Sequence, residues 1–242
     1  MTDRKQTYRG KGRRRAVCGI QYLFLIIMAV ISVFPFLWMI ISATNSSMDI
    51  ILGKMSFGGE LMNNIRNLLS AGDLLTCLKN SAILSVFITT LSILICSLAG
   101  YGFIVFKSRA KEFWFSFILL SMMIPTSSLI IPLFKMFSSM GLLNTKVGVM
   151  LPSLSTAFLI FFFRQNTKSF PLETIQAARI DGLGELGIFF KIFMPMMKST
   201  YAAAPVITFM NAWNSYRWPK VIMPQPEAQT MPMLIANMSS GY

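Results

Sequence analysis

The chain is 242 residues long, 54% hydrophobic and only 13% charged, with a mean hydropathy of +0.60, whereas soluble domains are about 45–50% apolar and about 25% charged. So few charges cannot cover a water-soluble surface, and the absence of histidine excludes His-based acid–base chemistry and His metal ligation. The net charge of +13 leaves two classes, a nucleic-acid binder or a membrane protein with basic cytoplasmic segments, and the positions of the charges decide between them.

A membrane-crossing helix needs about 20 mostly apolar residues. Five charge-free stretches approach or exceed that length, at 16–43, 80–106, 113–134, 147–163 and 199–216. A basic tail, 1–15, precedes the first. Arg13, Arg14 and Arg15 before an apolar run resemble a secretory leader, but the run is too long for a leader core and ends in no small-x-small cleavage site, so a retained anchor is expected. The connection 44–79 has short helical character at 65–69 and 73–78. In the third span Pro125 and Pro132 flank Thr126-Ser127-Ser128, which suits either a gating bend or a static kink. The fifth carries Thr208, Asn211, Asn214 and Ser215, with Asn211 three and four positions before the latter two. These groups can line a path for a hydroxyl-rich solute or hydrogen-bond helix to helix. The segment 223–242, with an apolar run at 231–238, is too short to span again.

Seven basic residues lie in the tail, three (Lys107, Arg109, Lys111) follow the second span, and five (Arg164, Lys168, Arg179, Lys191, Lys198) follow the fourth. The alternate side holds only Lys54, Arg66, Lys79, Lys135, Lys146, Arg217 and Lys220. The positive-inside rule therefore places the N-terminus in the cytoplasm. With the basic excess explained by topology, nucleic acid is not expected as a partner. Ion-driven carriers place ionisable groups within their spans; these spans carry none, which favours energy supplied from outside the membrane. Cys18, Cys77 and Cys96 lack metal-ligand spacing, and the 19 methionines read as lipid-facing or core filler, so no metal is expected.

The loop 164–198 is long and patterned. Pro171 and Glu173 suit a helix start, 172–180 is rich in helix formers, and Gly182 suits a left-handed stop. From Glu185, Leu186, Phe189, Phe190, Phe193 and Met197 recur at helical spacing, and Pro195 is expected to bend or end this second helix. Two short helices about a glycine hinge make either a docking surface for another protein or a pair of helices lying on lipid. Gly182-Leu-Gly184-Glu-Leu-Gly187 spells G-x-G-x-x-G, but it follows a helical segment and has no acidic residue about 20 positions on, so the match is accidental. The chain contains no Walker sequence, so no nucleotide or other cofactor is expected on this chain itself.

Glu173, Gln176-Ala177-Ala178, Asp181-Gly182, Phe189 and Pro195 together resemble the EAA loop of permease subunits in binding-protein-dependent ABC importers. Asn80-Ser81, the run 99–103, Met123-Ile-Pro125, Ile131-Pro132, Gly141 to Thr145, Ala212-Trp213-Asn214 and Trp218-Pro219 extend the resemblance to the carbohydrate-uptake branch, maltose or glycerol-phosphate type. It implies an all-α, polytopic type I importer permease of the bacterial inner membrane, with a permease core at 80–222 and extracytoplasmic segments at 44–79 and 223–242. It implies that Glu173, Gln176, Ala177, Ala178, Asp181, Gly182, Phe189 and Pro195 couple to an ATPase, the ATP being bound by that partner. The further partners implied are a second permease subunit, a dimer of cytosolic ATP-binding subunits, an extracytoplasmic solute-binding protein and the lipid membrane. Two departures stand out. Gln176 replaces the usual Glu, and the family continues past the equivalent of Tyr242 into another spanning helix. A C-terminally truncated chain is therefore expected, and the alternative to a sugar importer is a transport-defective or regulatory protein that still docks the ATPase.

Overall fold

The computed structural model describes residues 3–70, 72–106 and 108–239, with side chains from Val17 onward. The basic tail's side chains, Lys107 and the last three residues lie outside the described set. Among the described residues there is no strand, and the chain divides into two units, Met1–Ala71 and Gly72–Tyr242.

The first unit begins with α1 (Asp3–Ala43), whose segment Val17–Ala43 is long and apolar enough to cross a membrane. Leu23, Phe24, Leu25 and Phe36 are among its exposed side chains, so α1 buries almost nothing within its own unit. A folded connection follows: α2 (Ser47–Ile51) capped by Ser46, then α3 (Leu61–Ser70). Buried Asn45 donates to the carbonyls of Ile41 (2.9 Å) and Ser56 (2.8 Å), and Asn64 donates to Ala43 and Asn45, each at 3.0 Å. Two of these acceptors, Ile41 and Ala43, lie in the last turn of α1, whose carbonyls lack intrahelical partners; Asn45 and Ser56 belong to the connection itself. The helical character expected at 65–69 falls in the C-terminal half of α3.

The second unit is built around α4 (Leu74–Val105), 32 residues without proline, which packs chiefly against α8 (Ala157–Thr167) and α12 (Lys198–Trp213). Asp73 caps α4 by accepting from the Thr76 amide at 3.0 Å, so the helix starts six residues before the expected apolar run. The polarity of α4 is inverted. Asn80, Ser81, Ser85, Thr89, Ser92 and Ser97 are buried, whereas Val86, Phe87, Leu91 and Ile95 are exposed. Small and hydroxyl residues at a helix contact are how helices approach closely where water supplies no drive. At Gly100 an added Cβ would lie 2.7 Å from Phe163 Cβ and 2.8 Å from the Arg164 backbone nitrogen.

Two expected spans are broken rather than continuous. The stretch 113–134 becomes α5 (Lys111–Ser121) and α6 (Thr126–Ser139), bent by 100° where Pro125 ends the continuity of the backbone. The stretch 147–163 becomes α7 (Lys146–Met150), a 3-10 turn (Leu151–Ser153) and α8, bent by 43°. The fifth expected span is α12, whose 16 residues extend only about 24 Å at 1.5 Å each. The chain then turns through α13 (Arg217–Ile222) to α14 (Met231–Ser239). This last segment folds back on α4: Asn80 donates to the carbonyls of Glu227 (3.0 Å) and Gln229 (3.1 Å), and the Met231 amide donates to Ser81 Oγ at 2.8 Å.

Candidate functional site

The patterned loop folds as α9 (Leu172–Ile180), a tight turn, and a second helix made of α10 (Glu185–Ile188), a π-helical turn (Phe189–Phe193) and α11 (Met194–Met196). Pro171 precedes α9 in extended conformation and its carbonyl takes the Thr174 amide at 3.2 Å. Glu173 lies in the first turn, where a carboxylate opposes the positive end of the helix dipole. At the other end Gly182 has φ of +84°; its amide returns to Arg179 (3.1 Å) and the next amide, of Leu183, to Ala178 (3.0 Å). This is a full Schellman stop, closed by the apolar packing of Leu183. Nothing lies within 4 Å of a Cβ built on Gly182, so backbone conformation alone requires glycine there.

Ile175 and Ala178 point inward, into a cluster with Tyr101, Phe170, Ile188, Phe189, Phe193 and Met197. Glu173, Gln176, Ala177, Asp181, Gly182 and Pro195 are exposed. Thus the residues expected to couple divide into an exposed set and two buried anchors, Ala178 and Phe189. Ile180, 87% exposed, and Leu186 add apolar surface near the turn.

The second helix departs from the expected α-helical face, since Leu186 and Phe190 are exposed and Ile188 is buried. Pro195 has no amide proton and its ring crowds the carbonyl four residues back. The backbone widens to accommodate it, and the Met194 amide bonds Phe189, five residues earlier. In the wider turn the buried aromatic residues stay four apart, Phe189 and Phe193, followed by Met197.

Charged groups overlooked as site residues in the sequence fasten this loop and its neighbour. Arg179 Nε donates to Glu185 Oε1 at 2.6 Å, and the Tyr101 hydroxyl donates to Glu185 Oε2 at 3.2 Å. The hydrogen bond from Arg179, followed by that from Tyr101, holds the Glu185 carboxyl below the ordinary carboxylate range against partial desolvation. On α8, buried Arg164 donates to both carboxylate oxygens of Glu112 (2.6 and 2.7 Å) and stacks over Phe115 with its guanidinium carbon 3.7 Å from the ring centre. Read as topology, these arginines marked only a membrane face; their partners are 6 and 52 residues away in the chain.

The polar residues of the fifth expected span converge on two adjoining cavities. Thr208, Asn211 and Ser215 line one of about 130 Å³, with Ser81, Ser153, Thr156 and Thr230. Asn214 and Ser215 line the other, more open and about 520 Å³, with Thr126, Ser127, Tyr216 and Arg217. The helix ends at Trp213, so Asn211 and Ser215 meet across a helix end, not along one helical face. Arg217 bonds Ser127 Oγ at 2.9 Å, and Thr208 is turned back on the Ala204 carbonyl at 2.9 Å. Thr230 Oγ1 is buried without a hydrogen-bond partner, a polar atom left open beside the smaller cavity. Ser81, Ser153, Thr156 and Thr230 come from three separate parts of the chain, so no local pattern could have grouped them. Among the described residues, no group of three or more Cys, Asp or Glu is placed to hold a metal ion.

Residues 92–240 match the family of binding-protein-dependent transport system inner membrane components. The chain is 44% identical over 230 residues to a lactose transport system permease protein of Rhizobium radiobacter, covering 95% of this chain and 84% of that protein. It is 34% identical over 220 residues to an arabinooligosaccharides transport system permease protein of Halalkalibacterium halodurans, covering 89% and 79%. It is 30% identical over 235 residues to an sn-glycerol-3-phosphate transport system permease protein of Yersinia pestis, covering 94% and 84%. Its fold is similar, with a TM-score of 0.78 at 20% identity over 93% of this chain and 80% of the other, to a chain in the crystal structure of a bacterial ABC transporter involved in the import of the acidic polysaccharide alginate.

Proposed function

Because the chain belongs to the family of binding-protein-dependent transport system inner membrane components, we propose that it is the non-catalytic permease subunit of an ATP-driven importer that carries a sugar or sugar-like solute into the cell. The permease relatives named for lactose, arabinooligosaccharides and glycerol 3-phosphate support that solute class. The subunit pairs with a second permease, with a dimer of cytosolic ATP-binding subunits and with an extracytoplasmic solute-binding protein. Its N-terminus and the loop 164–198 face the cytoplasm, in keeping with the basic residues there.

One observation carries the assignment of the docking element. α9 is anchored on the core by Ile175 and Ala178, while Glu173, Gln176, Ala177, Asp181 and Gly182 stand exposed on the helix and the turn that ends it. A partner that grips these residues moves the second unit through those anchors. Gln176 keeps a hydrogen-bonding side chain where a carboxylate is usual, and an exposed ion pair lost there contributes only about 0.2–1 kcal/mol. The hydroxyl and amide groups of Thr208, Asn211, Asn214 and Ser215 offer a neutral sugar hydrogen bonds along the two cavities.

Co-purification with the ATP-binding subunits and uptake of a sugar panel test this reading. Deleting 176–182 is expected to release the ATPase, and loss of the gene to abolish uptake of one sugar class. An ATPase that stays bound after the deletion overturns the docking assignment. Unchanged uptake of every sugar in the gene-deleted strain overturns the substrate class.

A further inference from the structure

We infer that Tyr101, Glu185 and Arg179 form a latch that makes α4 move with the docking loop, so that the three act as positioning residues for coupling. The inference rests on the docking reading of α9 and names the device that carries its motion inward.

The geometry has three parts. First, Arg179 and Glu185 stand on either side of the Gly182 turn, and their 2.6 Å ion pair closes that turn from outside. The turn is already closed by the Gly182 and Leu183 amides, and the pair adds a side-chain tie across it. Second, the other carboxylate oxygen of Glu185 accepts from Tyr101, which is not part of the loop but stands near the end of α4. A single carboxylate thus joins α9, α10 and α4. Third, the Tyr101 ring is 3% exposed and meets Phe189 and Phe193 edge-on at 5.4 and 4.9 Å between centroids. The aromatic contacts hold the ring in place, and the hydroxyl fixes its register against the loop.

What the latch pulls on follows from α4. The helix has no proline between Leu74 and Val105, and Ser81 is 20 residues, or about 30 Å, from Tyr101. Ser81 lines the smaller polar cavity and accepts from the Met231 amide. One continuous helix therefore has the loop tied at one end and the cavity wall at the other. The hydrophobic drive that buries this cluster is itself non-directional, so it holds the loop on α4 without specifying one register. The hydrogen bonds through Glu185 are directional and fix that register.

The test uses the assembled transporter in liposomes and measures solute moved per ATP hydrolysed. Tyr101→Phe removes one oxygen and keeps the ring packing. It is expected to leave ATPase association and basal hydrolysis unchanged and to lower solute moved per ATP at least threefold. Glu185→Gln is expected to do the same, and the double variant to be no worse than the poorer single, as for one shared device. Amide exchange at 183–188 gives a readout independent of transport, and it is expected to quicken in both variants. If Tyr101→Phe keeps the full transport per ATP while deletion of 176–182 still releases the ATPase, the latch is refuted and the docking reading stands. If the ATPase stays bound after that deletion, both fall.

Discussion

Replacing Gly182 in a graded series isolates the conformational demand of the turn from everything else the loop does. At φ of +84°, with no atom within 4 Å of a built Cβ, Gly182→Ala meets no steric neighbour. Its cost is then the left-handed backbone alone, about 1–2 kcal/mol, offset by about 0.4–1 kcal/mol from a stiffer unfolded chain. A net of about 1 kcal/mol is roughly a fivefold change in an opening equilibrium. Gly182→Asn is expected to cost less, because asparagine tolerates the left-handed region. Gly182→Pro cannot reach a positive φ, and it removes the amide that bonds the Arg179 carbonyl. It also disfavours the conformation of Asp181, whose ψ of 0° lies far from the extended values preferred before proline, so a loss of about 3 kcal/mol or more is expected. The Leu183 amide, bonded to Ala178, reports the turn directly by hydrogen exchange. Exchange should quicken about fivefold for Ala, less for Asn, and approach the rate of an open chain for Pro. An unchanged rate in the Ala variant, or a faster rate for Asn than for Ala, refutes the account of the turn.

Two further outcomes are expected. Gly100→Ala should lower the thermal stability of the detergent-solubilised protein by about 1–3 kcal/mol through overpacking of α4 on α8; Gly187→Ala, where nothing lies within 4 Å, should not, and equal effects would count against the close crossing. The Glu185 carboxyl is held below its usual value chiefly by Arg179, so its contribution to loop order is complete above the ordinary carboxylate range and is lost as pH falls through the lowered value. Proteolytic cleavage near the turn should stay flat from about pH 8 to 6 and rise below about pH 4, and a rise already between pH 8 and 6 would be inconsistent with Glu185 as the titrating group.

Local chemistry was legible in the sequence wherever one residue decides one geometry. Gly182 stops α9 because only glycine is unstrained there, and the charge-free runs located α1 and α4 because membrane depth is written in apolar length. That same signal reports depth and not helix length, which is why α4 begins at its Asp73 cap, before Lys79, and why two apolar runs conceal the breaks at 122–125 and 151–156. Pro125 was visible, but its 100° consequence depends on what the two halves pack against. The π-helical turn shifts the register of the residues after it, so Leu186 and Phe190 fall off the face that Phe193 and Met197 bury, which a strict 3.6-residue count cannot foresee. The latch and the cavity escaped for a simpler reason: Tyr101 and Glu185 are 84 residues apart, and Thr230 meets Ser81 only after the chain folds back.

The inverted polarity of α4 also bears on how the protein is made. Its buried seam of Ser81, Ser85, Thr89, Ser92 and Ser97 meets partners synthesised more than 50 residues later: Ser92 donates to the Ser153 carbonyl and Ser81 accepts from the Met231 amide, while α8 and α12 pack on the helix. During that interval the nascent helix must reside in lipid with the seam bare. Hydroxyls tolerate the wait because they can bond carbonyls of their own helix, as Ser97 does to Leu94 at 3.1 Å. An ionised side chain in the same row would cost about 2.5–3.5 kcal/mol at the bilayer centre before any partner had arrived. The seam is thus polar enough to distinguish protein neighbours from lipid, yet neutral enough to survive without them, so the order of synthesis limits the chemistry open to the buried face of α4.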